Sequence, residues 1–141
     1  MINDGLKMTG AVAIALNGEV VQEIPNLVVT AGKNFVASRM KDTTKAAMTH
    51  MAIGTNNTTA AVGQTALSAE VARGALTSTT VSNNTIAYVE TFAAGTGTGA
   101  IVEAGVFNAS SSGDMLCRTV FAVVNKGSAD AMTITWTITV S

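Results

Sequence analysis

Charge is what this chain has least of. Asp, Glu, Lys and Arg together make up 12% of its 141 residues, about half the ordinary share. Nine acidic and eight basic residues leave a formal net charge of −1. The basic residues Lys7, Lys33, Arg39, Lys41, Lys45, Arg73, Arg118 and Lys126 are scattered, and their densest group, Arg39 to Lys45, contains Asp42 and no aromatic residue. That is no phosphate-tracking stripe, and it argues against nucleic acid as a direct partner. A single cysteine, Cys117, excludes an intrachain disulfide; its apolar surroundings read as those of a small buried hydrophobe rather than a reactive thiol. A single histidine, His50, excludes a site built from two imidazoles of one chain. With no Gly-x-Ser-x-Gly elbow, a Ser-His-Asp arrangement has no support either. Aromatics at 4% are too few for an ordinary sugar cleft, so a carboxylate pair of the glycosidase kind finds no backing. No apolar run approaches the ~18 residues that would span a bilayer, and Asn3, Asp4 and Lys7 interrupt the N-terminus before any leader-like stretch. No cofactor, metal or catalytic residue is expected, and the chain reads as a protein that is not an enzyme.

What is present is β-forming material. Threonine supplies about a seventh of the chain, alongside 13 glycines and one proline; Thr and Val are β-branched and suit a pleated, half-buried surface. Residues Met132 to Val140 alternate apolar side chains strictly with threonine. Period two puts Met132, Ile134, Trp136, Ile138 and Val140 on one face, so this is a strand with one dry and one wet side, typical of an antiparallel sheet. Strands are also expected over 6–16, 19–24, 48–53, 73–82, 85–93, 100–107 and 115–124. Asn17-Gly18 marks a hairpin, because both central positions of a type I′ turn take positive φ. Pro25 ends the second strand or confines it to an edge. Residues 30–41 are the best helix candidate, with Thr30 as cap and Phe35, Val36 and Met40 on one face; Leu67 to Val71 suits a helical turn. Strands at this regular spacing predict a single all-β domain over 1–141, an antiparallel β-sandwich of jelly-roll-like form with one short helix near residues 30–41.

The glycine runs do not have the pattern of phosphate cradles. Gly95-x-Gly97-x-Gly99 is out of register for a dinucleotide fingerprint and is followed by a strand-like Ala100-Ile101-Val102, and Gly32-Lys33 carries Asn34 where a P-loop needs Ser or Thr. Both are backbone punctuation. Glu103 stands out as a charge inside an apolar strand; it reads as an outward-facing residue, or as one paired with Arg118 or Arg39 to hold strand register.

The ordered runs Asn26-Leu-Val-Val-Thr-Ala-Gly-Lys-Asn34, Met51-Ala-Ile-Gly-Thr55, Glu103-Ala-Gly-Val-Phe107, Met115-Leu-Cys-Arg-Thr-Val-Phe121 and Thr133-Ile-Thr-Trp136 together resemble small structural proteins of tailed bacteriophages, often labelled tail-fibre or virion structural proteins. The resemblance spans nearly the whole chain and departs from the family at Ala122-Val123, where a proline often stands. It implies a non-enzymatic component located in the virion, either a capsid decoration or cement protein or a tail-fibre or baseplate part with receptor-binding loops at 54–63 or 95–99. Compact size and the lack of a repetitive shaft favour the capsid role. A surface so poor in charge is either coated in Thr, Ser and Asn or covered by partners. Assembly is the expectation: contact with other phage structural proteins, chiefly the major capsid protein, and a homo-oligomer, trimer before dimer, joined through the N-terminal hairpin at Val12, Ile14 and Leu16. Neither membrane nor nucleic acid is an expected partner.

Overall fold

A computed structural model describes residues 5–141; Asn3 and Asp4, which interrupt the N-terminus in the sequence, lie outside the described residues. The elements are β1 (Met8–Leu16), β2 (Glu19–Pro25), β3 (Leu27–Val28), α1 (Thr30–Arg39), β4 (His50–Gly54), β5 (Glu70–Ala75), β6 (Ser78–Ser82), β7 (Thr85–Phe92), β8 (Gly99–Phe107), β9 (Met115–Lys126) and β10 (Met132–Val140). They form two antiparallel sheets of five strands, ordered β2-β1-β10-β7-β6 and β3-β9-β8-β4-β5. This is the all-β sandwich with one short helix that composition and strand spacing predict, with five strands in each layer where an eight-stranded jelly roll has four.

Period two builds the core. Met132, Ile134, Trp136 and Ile138 of β10 are buried, and across the sheet they meet Leu16, Ile14 and Val12 of β1 on one side and Phe92, Tyr88 and Ile86 of β7 on the other. The second sheet answers with Met51, Ile53, Ile101, Ala104, Val106 and Phe121, which join them in one cluster. The interleaved threonines of β10 face away from the core, and Thr133 shares a hydroxyl hydrogen bond with Thr91 of β7. Asn17 and Gly18 carry φ of 51° and 84°, as the expected hairpin requires.

Four expectations are corrected. The continuous strand expected over 73–82 is two strands in different layers. Leu76 and Thr77 carry the switch, the Leu76 N–H donating to the Thr49 carbonyl beside β4 and the Thr77 N–H to Val89 of β7. The helical turn expected at 67–71 is a turn leading into β5, which starts at Glu70. The helix stands where expected but without a Thr30 cap: Val29 is the N-cap, and the Thr30 N–H donates to the Val62 carbonyl instead. Phe35 is buried, whereas Met40, expected on the same face, is 84% exposed. Gly32 lets the helix touch β9, since a Cβ there would stand 2.0 Å from the Leu116 carbonyl oxygen.

Candidate functional site

The chemistry-bearing side chains gather on the outer face of the second sheet, because of one irregularity. The β8–β9 register shifts between Ile101 and Glu103. Ile101, Ala104 and Val106 point into the main core, while Phe107, on the same side of β8 as Glu103, packs outward with Ala52, Leu67, Met115 and Val29 in a second, smaller cluster. Glu103 therefore faces away from the main core, as its outward-facing reading predicts. Residues 55–69 then fold over it, and both Glu103 and Arg118 end at 0% exposure.

The pair is closely wired. Arg118 Nε and Nη2 donate to Glu103 Oε1 at 3.2 and 3.0 Å. The other oxygen, Oε2, accepts the backbone N–H groups of Asn56 and Ala69 at 3.0 and 3.2 Å, joining the two ends of the covering loop. Arg118 Nη1 donates to the Thr58 carbonyl at 2.8 Å and to Gln64 Oε1 at 3.1 Å, and Nη2 reaches the Asn56 carbonyl at 3.4 Å. Of the two partners considered for Glu103, the structure selects Arg118; Arg39 lies at the helix end and donates to the Lys45 carbonyl. Beside the loop, Pro25, Asn26, Leu27, Thr59, Ala60 and Thr119 line a shallow pocket of about 310 Å³.

A second buried cation anchors the other glycine loop. Lys126 Nζ donates to the carbonyls of Ala93 and Asp130 at 2.9 and 2.7 Å, fixing the base of the turn in which Gly95, Gly97 and Gly99 take positive φ. Both loops singled out in the sequence thus rest on a buried basic side chain. Glu90 is a further buried carboxylate, on the core side of β7 opposite Ile134; its Oε1 accepts from Thr77 Oγ1 and the Thr91 N–H. Sequence reasoning missed Glu90 and Lys126. For Glu90 the signal was available: it shares the parity of Ile86, Tyr88 and Phe92. Arg73, paired with Glu70 at 2.7 Å, stacks 3.8 Å over the Phe107 ring and seals the end of the small cluster.

His50 is half-buried at the start of β4, with Nδ1 2.7 Å from Thr49 Oγ1. Glu103 pairs in register with Gly54, four residues along the same strand, a run of about 13 Å. Among the described residues no three His, Cys, Asp or Glu side chains group as metal ligands, and no helix is long and apolar enough to cross a membrane. Val12 and Ile14, expected at a subunit contact, are buried in the chain's own core and Leu16 packs against it. Alternation turns those three inward, which leaves Val12 and Ile14 no surface to offer another subunit and Leu16 only a part of its own. The exposed apolar groups of that hairpin are Val20 and Val21.

Cys117 is buried, as its surroundings predict. Burial pushes its thiol well above the usual range, only partly offset by polar contacts from Asn26 and the Val106 backbone. Burial, with Cys117 acting in the same direction, raises Tyr88 to about 12. Tyr88 is the sole tyrosine, so its ionisation can be followed by ultraviolet absorbance. The unfolded chain releases the phenolic proton near pH 10 and the folded chain near 12. This contribution to stability is therefore complete below about pH 10 and is lost as pH rises through 12. The expected result is a tyrosinate transition near 12 that moves to about 10 in denaturant.

Comparison with protein-family models, with curated proteins and with solved structures returns no match.

Proposed function

We propose that this chain is a non-enzymatic structural protein of a tailed-phage virion, and within that class a capsid decoration or cement protein bridging neighbouring capsid subunits. The observation that carries the reading is the surface: a sandwich with few charges that leaves Leu6, Val20, Val21, Met40, Val62, Val71, Val81 and Val123 exposed. Apolar and hydroxyl surface of this kind is covered at low cost in desolvated charge, and many such contacts over a symmetric shell add up to strong retention. The ordered runs that resemble phage structural proteins support the same reading, and the buried anchors Arg118 and Lys126 suit loops that must keep one shape against a lattice. The test is to incubate the purified chain with capsids stripped of accessory proteins and to count bound copies. Saturable binding with a stoichiometry set by the capsid lattice is expected; binding to tails alone, or to neither, would overturn the capsid role.

A second reading, a fibre-tip or baseplate module, is favoured by one observation. The 55–69 loop is held from beneath by three hydrogen bonds from Arg118 and two to Glu103, as a rigid recognition loop would be. It predicts binding on a glycan array and a change of host range on substitution at Thr58 or Thr59.

A further inference from the structure

Two open sheets have four edges, and natural proteins protect such edges against pairing with another chain. Here three are protected. β2 carries Glu19 and Glu23, ends in Pro25 and adjoins a bulge at Ile14/Ala15. β3 is two residues long and runs straight into α1. β5 carries the Glu70–Arg73 ion pair and a register shift opposite Ile53/Gly54. The fourth edge, β6, has none of these devices. Ser78-Thr79-Thr80-Val81-Ser82 contains no charge and no proline, pairs with β7 in unbroken register, and is exposed at every residue.

The surface beside β6 is apolar on the side that continues the core. Thr79 and Val81 stand opposite Tyr88 and Ile86 and so share the inward-facing side of the sheet. Yet Val81 is 70% exposed, at the rim of a shallow pocket of about 370 Å³ that Ile86, Ile138 and Val140 also line. The core face thus runs out to an edge that nothing among the described residues covers.

We infer that β6 pairs with β6 of a second copy of this chain, antiparallel, about a two-fold axis at Thr80. The strand is self-complementary in that register: Ser78 falls opposite Ser82, Thr79 opposite Val81, and Thr80 opposite its own counterpart. No like charges meet, because none is present. The backbone phase also fits. Asn83-Asn84 closes a two-residue hairpin between Ser82 and Thr85, so the flanking pair is hydrogen-bonded and alternate pairs follow. Ser82, Thr80 and Ser78 then direct their N–H and C=O groups toward β7, and those of Thr79 and Val81 point outward, free to pair. The result is one continuous ten-stranded sheet, with each Val81 covered by the Thr79 methyl of the other copy. This two-fold contact replaces the trimer and the hairpin contact expected from sequence, and it does not depend on the virion reading.

A five-residue pairing is small beside a standard interface of about 1,600 Å², so the test is to trap it. Thr80 faces its counterpart in a non-hydrogen-bonded pair with Cα atoms about 4.5 Å apart, inside the range of about 4.4–6.8 Å that a disulfide spans. Under mild oxidation of the purified full chain, Thr80→Cys is expected to form a disulfide dimer about tenfold or more faster than Ser128→Cys, an exposed control on another turn, since pairing raises the local thiol concentration toward millimolar. Val81→Lys in the Thr80→Cys background installs the missing edge charge without touching the core and should bring the rate down to the control's. Cys117, being buried, does not compete. Equal rates for the two cysteine variants, or a Thr80→Cys rate indifferent to Val81→Lys, would overturn the pairing.

Discussion

Arg118→Met is expected to lower the unfolding free energy by about 3–5 kcal/mol, the range for removing one partner of a buried ion pair. The loss comes mainly from what stays behind. Glu103 remains at 0% exposure with Oε1 unpaired, and the carbonyls of Thr58 and Asn56 lose the donors that hold them. The covering loop should open before the sandwich does, so limited proteolysis is expected to cut within 55–69 at denaturant concentrations where far-ultraviolet circular dichroism is still native. Replacing both partners discriminates further. Buried ion pairs often exchange for apolar pairs at little cost, but Glu103 Oε2 also accepts two backbone N–H groups. Glu103→Gln with Arg118→Met keeps one acceptor there and removes the stranded charge, and it should recover more than half of the single variant's loss. Glu103→Leu with Arg118→Met keeps no acceptor and should recover less. Urea denaturation of the three variants measures the order. A loss below about 1 kcal/mol for Arg118→Met would place the pair among exposed ion pairs and contradict the buried network.

How far this site was legible follows from which interactions are local. Strict alternation over Met132 to Val140 identifies the inward face of β10, and Asn17-Gly18 identifies the β1–β2 hairpin, because side-chain parity and turn dihedrals are properties of neighbouring residues. The same parity logic gives Glu103 an outward direction, and the composition of β9 offers Arg118 as a partner. Neither reveals that residues 55–69 return over that face, since cover is a contact between segments far apart in sequence. Leu76-Thr77 shows the same limit from another side. Nothing in Arg73 to Ser82 breaks the strand pattern locally; the chain changes layer because Thr49 and Val89 accept successive N–H groups in different sheets. Val12, Ile14 and Leu16 were legible as an apolar face but not as an inward one, because in a sandwich the second sheet decides which apolar face is buried. The open edge at β6 was hidden for the same reason: an uncharged Ser/Thr strand reads alike in the centre of a sheet and at its rim.

Trp136→Ala is expected to cost about 3–5 kcal/mol, the range for truncating a buried aromatic to alanine. Trp136 is the largest fully buried side chain and lies on the central strand of its sheet, between Val12 on one neighbour and Tyr88 on the other. Truncation removes packing from both strand pairs at once, and the rigid ladder on either side limits collapse into the space. Trp136→Phe separates volume from polarity. The indole Nε1 is buried with no acceptor among the described residues, and an unpaired buried donor carries a desolvation penalty of about 1–3 kcal/mol. Phenylalanine gives up part of the ring volume but removes that penalty, so its loss should be well below half that of alanine. Thermal unfolding followed by circular dichroism compares the two without needing the indole as a probe. Near-equal losses would mean that the N–H contributes to the fold through a partner, and that the interior of this sandwich is held at its centre by a polar contact as well as by packing.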